Sequence, residues 1–74
     1  MLKNIKMNGK LDPFKDKQVI KLIKAKEDLF AGKGRLVIRK SGTEPLIRVM
    51  GEHEDENLLK DTVYEIVDKI KGMN

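Results

Sequence analysis

The chain has 74 residues, with 16 Lys and Arg against 12 Asp and Glu, one His and no Cys. At this length it makes one domain at most, residues 1–74, with a thin core that buries about 60% of the unfolded chain's surface. No disulfide, cysteine zinc site or thiol nucleophile is possible, a lone His53 excludes a two-histidine metal motif, and the net charge of +4 admits anionic partners without requiring them.

In chain order, residues 2–7 are short and partly alternating and predict a strand. Asn8-Gly9-Lys10 is turn chemistry, because Asn-Gly readily supplies a positive φ. Asp12 followed by Pro13 has the form of a helix N-cap, although Asp16 is an equally good start. Apolar residues at 19, 22, 23, 29 and 30 then mark a helical stripe, with lysines 15, 17, 21, 24 and 26 facing water. Ala31-Gly32-Lys33-Gly34 ends that helix. Residues 35–39 and 46–50 are β-branched runs that predict two strands, joined by a loop over 40–45.

Glu52 to Glu56 predicts an acidic head for a last helix, complementing the positive end of its dipole. Leu59, Val63, Ile66, Val67 and Ile70 form its apolar stripe, Glu65 and Lys69 an i,i+4 pair, and Gly72 its C′ residue. The order β-α-β-β-α predicts an α+β fold: a small antiparallel-containing sheet with both helices packed on one face.

Chemistry concentrates in one segment, Arg39-Lys40-Ser41-Gly42-Thr43-Glu44-Pro45-Leu46-Ile47-Arg48. Ser41, Gly42 and Thr43 offer backbone N–H groups and two hydroxyls that can converge on one anion, and Gly42 keeps a Cβ out of the way. Arg39 and Arg48 each bring a planar fork of donors suited to bidentate grip of a phosphate. A plain loop reads equally well from spacing: Ser, Gly, Thr and Pro as turn residues, with the arginines paired to Glu44 or Glu52. Spacing alone leaves both readings standing.

The string from Gly34 to Met50, with Ser-Gly-Thr-Glu-Pro followed by Leu-Ile-Arg-Val-Met, resembles the C-terminal, fourth domain of the α-D-phosphohexomutases. Within that superfamily it is most similar to the phosphoglucosamine mutase branch. The resemblance covers nearly the whole chain, residues 8–18 being the least distinctive. It implies a sheet with helices on one side, like a TATA-binding-protein module. It also implies that Arg39, Ser41, Gly42, Thr43 and Arg48 hold the sugar phosphate that is not being transferred, while Glu44 and Pro45 shape the loop and Lys40 stands at a variable position.

The same resemblance implies what must lie elsewhere. The mutase reaction uses a phosphoserine and a Mg²⁺ held by aspartates. This sequence has no Ser-His-Asn-Pro loop, no Asp-x-Asp-x-Asp run and no sugar-selecting Gly-Glu-x-Ser-Gly-His loop. Ser41 has no base beside it and is no nucleophile. The chain is thus expected to be non-catalytic alone and to carry no cofactor, with Mg²⁺ in the full-length enzyme. Its expected partners are a sugar phosphate and the remaining mutase domains.

Other readings carry less. Residues 1–48 hold thirteen basic side chains against five acidic ones, whereas residues 49–74 hold three against seven. That asymmetry suits a stand-alone anion or nucleic-acid module working through Lys17, Lys21 and Lys24. Phe14, Phe30 and Tyr64 are too few to stack single-stranded bases, so nucleic acid is not the expected partner. An interaction domain with a vestigial loop is the blander option. Residues 52–56 with His53 read as a solvated helix cap and not as a metal site, because consecutive residues cannot all face one ion. No apolar run is long enough to span a membrane and the start lacks a secretory h-region, so a cytoplasmic location is expected.

Overall fold

The structure is a computed structural model that describes residues 1–7, 12–42 and 44–73. Its strands are β1 (Leu2–Lys6), β2 (Gly34–Lys40) and β3 (Leu46–His53), and its helices α1 (Lys17–Phe30) and α2 (Glu56–Lys71). The expected order β-α-β-β-α is the observed one. The expected turn at Asn8-Gly9-Lys10 lies outside the described residues.

Both candidate caps before α1 are used. Asp12 caps a single 3-10 turn, Pro13–Lys15, accepting from the Phe14 N–H at 2.9 Å. Asp16 then caps α1, accepting from Gln18 N at 2.8 Å and Val19 N at 3.1 Å. Two consecutive Asp caps let the chain turn sharply before the helix, because each satisfies donors that the first turn leaves free. Asp55 does the same for α2 through Asn57 N and Leu58 N.

The sheet has the order β1-β3-β2, with both pairings antiparallel. Both helices lie on one face. Ile5, Ile47 and Val49 from the sheet meet Val19 of α1 and Val63, Ile66, Val67 and Ile70 of α2 in one buried cluster. Gly51 seats α2: a Cβ there would stand 2.8 Å from Leu59 Cδ1 and 3.1 Å from Val63 Cγ2. Burying each of these Val and Ile side chains contributes about 1.5–3 kcal/mol, enough in sum to hold two short helices that would not persist alone.

Several local expectations are corrected. β3 runs on to His53, so Glu52 and His53 belong to the sheet and not to the head of α2; Arg35 opposite Glu52 and Gly34 opposite His53 continue the ladder. Leu29, placed in the stripe by its spacing, is 52% exposed, because it lies about 100° round the helix from Phe30, which is the residue that turns into the core. Glu65 and Lys69 do not pair with each other. Both reach across to α1, Glu65 to Lys26 at 3.3 Å and Lys69 to the Gln18 side-chain oxygen at 2.7 Å. Gly72 caps α2 with φ −63°, a right-handed conformation, so no left-handed C′ motif forms.

Candidate functional site

The open face of the sheet carries the site. Strand side chains alternate between faces, and on β3 the buried positions are Ile47, Val49 and Gly51. Arg48, Met50 and Glu52 therefore point away from the helices. On β2 the same alternation packs Leu36 and Ile38 toward the core and leaves Arg35, Val37 and Arg39 on the open side.

The register sets Arg39 directly opposite Arg48. Both are exposed, and among the described residues neither is in an ion pair with Glu44 or Glu52. Glu52 instead lies 3.5 Å from Arg35, farther from the loop. The reading in which the arginines pair to those acids is therefore not realised. Like charges directly opposite in a sheet cost about 0.2–1 kcal/mol, so the unliganded pair is held at a small expense that an anion between the forks would reverse.

Ser41 extends the ladder by one step: its N–H donates to the Leu46 carbonyl at 2.8 Å. Alternation then carries Ser41 to the same face as Arg39. The loop closes tightly, with Leu46 N bonded to the Glu44 carbonyl at 2.7 Å and Met7 N to the Pro45 carbonyl at 2.7 Å. Gly42 is exposed, and a Cβ on it would meet nothing within 4 Å. Thr43, the remaining candidate, lies outside the described residues.

Lys40 does not join them. Alternation turns it to the helix side, where its ammonium lies 2.6 Å from the Asp12 carboxylate and 5.9 Å from the Phe14 ring centroid. The ammonium's hydrogen bond, opposed in part by burial, holds the Asp12 carboxyl below its ordinary value of 3.8. The structure thus joins Arg39, Ser41 and Arg48 on one end of the open face and removes the lysine between them. Sequence reasoning passed over Asn4 and Lys6, which β1 brings opposite Arg48 and Leu46 on this same end. Their signal was present locally: buried Ile5 and Met7 alternate with them, so Asn4 and Lys6 had to face away from the core.

A shallow concavity of about 440 Å³ occupies the middle of the open face, floored by Leu2, Val37 and Met50 and edged by Arg39. His53 is engaged structurally, its Nδ1 accepting from Asp55 N at 2.9 Å and its ring 4.7 Å from that of Phe30. Among the described residues no three His, Asp or Glu side chains are grouped to hold a metal ion.

Residues 2–69 match the model of the phosphoglucomutase/phosphomannomutase C-terminal domain. The chain is 44% identical over 70 residues to phosphoglucosamine mutase of Roseobacter denitrificans, covering 95% of this chain and 16% of that protein. It is 49% identical over 71 residues to phosphoglucosamine mutase of Cereibacter sphaeroides, covering 96% and 16%. Against that of Parvibaculum lavamentivorans it is 53% identical over 66 residues, covering 89% and 14%. The chain thus spans about a sixth of the length of these relatives. With the matched region extending over both helices and all three strands, the chain belongs to the phosphoglucomutase/phosphomannomutase C-terminal domain family.

Proposed function

We propose that this chain is the phosphate-holding domain of a phosphoglucosamine mutase-type enzyme. In that enzyme glucosamine 6-phosphate and glucosamine 1-phosphate interconvert, and this domain grips the sugar's non-transferred phosphate. The observation that carries the reading is the opposed pair Arg39 and Arg48 beside Ser41, two guanidinium forks with no carboxylate between them among the described residues. A phosphate monoester of charge about −1.5 to −2 at pH 7 is the ligand that such a pair neutralises best.

The domain's part in the reaction is positional. Its donors are mounted on a paired hairpin, so binding orders little, and the fixed phosphate orients the sugar toward a reacting group supplied by other domains. In this reading the Mg²⁺ and the phosphoserine that the reaction uses are supplied by other domains of the enzyme. A cytoplasmic location belongs to this reading. No helix among the described residues is long and apolar enough to cross a membrane.

The test is an amide NMR titration of the chain with glucosamine 6-phosphate and then with inorganic phosphate. Shifts confined to residues 39–48 and their β1 neighbours, similar for both ligands, are the expected result. Silence there, with an added oligonucleotide shifting Lys17, Lys21 and Lys24 in a salt-dependent way, would replace this reading with the polyanion module.

A further inference from the structure

We propose that the free edge of β2 is a docking site for an extended segment of a partner protein, apolar on one face and acidic on the other, which adds a strand to the sheet. The inference is independent of the phosphate-holding reading. In the order β1-β3-β2 the outer side of β2 is unpaired over its seven residues, Gly34–Lys40. The Ser41 N–H donates to the Leu46 carbonyl, so these two form a hydrogen-bonded pair of the antiparallel ladder. Alternation then gives the backbone groups of Arg35, Val37 and Arg39 to β3 and turns the N–H and C=O groups of Leu36, Ile38 and Lys40 outward. Among the described residues no backbone hydrogen bond occupies them.

An apolar groove runs beside that edge. Its volume is about 490 Å³, and its walls include Ile20 and Ile23 of α1, Phe14 of the preceding turn, and Leu36 and Ile38 of β2. Ile20 is 47% exposed there. A strand paired to β2 places every second side chain on the helix side, next to Leu36 and Ile38 and over this groove. The open backbone groups provide the pairing and the groove favours apolar residues at alternate positions, the two ingredients of strand addition to a sheet edge.

Charge selects the partner. α1 carries four lysines against Glu27 and Asp28, and β2 carries two arginines and a lysine against no acid. Lys26, Arg35 and Lys40 are engaged by Glu65, Glu52 and Asp12. Lys17, Lys21, Lys24 and Arg39 meet no carboxylate within ion-pair distance among the described residues. Lys17, Ile20, Lys24 and Glu27 follow one another at helical spacing, so two of these lysines flank the exposed isoleucine and Glu27 is the one acid at the rim. Arg39 stands on the open face of β2, beside the side chains that a docked strand would turn to that face. A second copy of β2 would bring its own two arginines and lysine to this cationic edge, and like charges across strands oppose such pairing.

The experiment adds to the 74-residue chain a capped peptide of the length of β2, alternating valine and glutamate, and follows amide shifts and hydrogen exchange. Exchange is expected to slow at Leu36 and Ile38, whose N–H groups point outward, and to stay unchanged at Val37 and Arg39, already bonded to β3. The same peptide N-methylated on its pairing amides should not bind. A peptide alternating valine and lysine should bind about tenfold more weakly or worse. Ile20→Gln should weaken binding about tenfold, whereas Leu29→Gln, exposed to a similar degree outside the groove, should leave it unchanged. Both variants are checked for a dispersed amide spectrum. Equal binding of the N-methylated peptide and its parent would overturn strand pairing. Shifts confined to Lys17, Lys21 and Lys24, without protection at Leu36 and Ile38, would reduce the effect to charge attraction and overturn the proposal. Concentration-dependent sedimentation of the chain alone, with those two amides protected, would make a second copy the occupant and overturn the proposed partner. No binding of the glutamate peptide would overturn it outright.

Discussion

Lys40 lies 2.6 Å from Asp12 across the edge of the sheet, on the face opposite to its sequence neighbours Arg39 and Ser41. One residue of strand alternation thus separates a structural ion pair from the proposed anion site. The central cation of the motif belongs to the fold, where it ties β2 to the capped turn before α1.

That pairing has a pH signature. The Asp12 carboxyl is held below 3.8 in the folded chain, so its contribution to stability is complete above that value and is lost as pH falls through the lower, folded one. Lys40→Met should reduce this acid-side dependence, the Phe14 N–H and Lys15 still favouring the carboxylate, while leaving sugar-phosphate affinity within about twofold, as for a surface ion pair remote from the ligand. Urea unfolding at pH 3 and pH 6, alongside a binding titration, checks both halves.

Arg39 and Arg48 should show opposite effects on binding and stability. Replacing either with Ala removes a charge-assisted contact of about 1.5–3 kcal/mol to phosphate, a loss of roughly tenfold or more. The same change relieves a like-charge pair, so the unliganded variant should be as stable as wild type or more so, by up to about 1 kcal/mol. Calorimetric titration and thermal unfolding of the same samples test this. A variant that loses both binding and stability would show that the arginines hold the sheet instead of a ligand.

Gly51→Ala should destabilise the chain by about 1–3 kcal/mol, through overpacking beneath α2. Leu59 can swing away from the new methyl, but Val63 is fully buried and β-branched, so α2 must lift from the sheet. The midpoint of urea denaturation reports the cost, and a compensating Val63→Ala in the same background should recover part of it.

Thr62 makes a prediction of the opposite sign. It is 1% exposed on α2, and its hydroxyl has no hydrogen-bond partner among the described residues. A buried unsatisfied hydroxyl costs about 1–3 kcal/mol, and valine has nearly the same shape without the polar group. Thr62→Val should therefore raise the denaturation midpoint, and a fall would mean that the hydroxyl finds a partner in solution.

Much was legible in the sequence because it depends on near neighbours. Asp12, Asp16 and Asp55 cap because each side chain reaches the N–H groups two or three residues on, whatever the rest of the chain does. The stripe Val63, Ile66, Val67 and Ile70 marked the buried face of α2, because helical period alone aligns those positions. The Ser41–Pro45 loop and its flanking arginines marked the site by resemblance and residue type. The open face was equally implicit in the alternation of β3.

Only the tertiary structure decided which charges meet. Glu65 and Lys69 satisfy the helical spacing for a pair, yet each finds a partner on α1, because the helices pack closely enough to offer one. Arg39 opposite Arg48, Lys40 turned to Asp12 and Lys6 brought beside the loop all follow from strand register. Register is fixed by hydrogen bonds and packing between residues far apart in the chain, so no local pattern contains it. The sequence by itself determined the elements and the residues that carry the chemistry. Folding decided which of those residues share a face, and so which can act together on one anion.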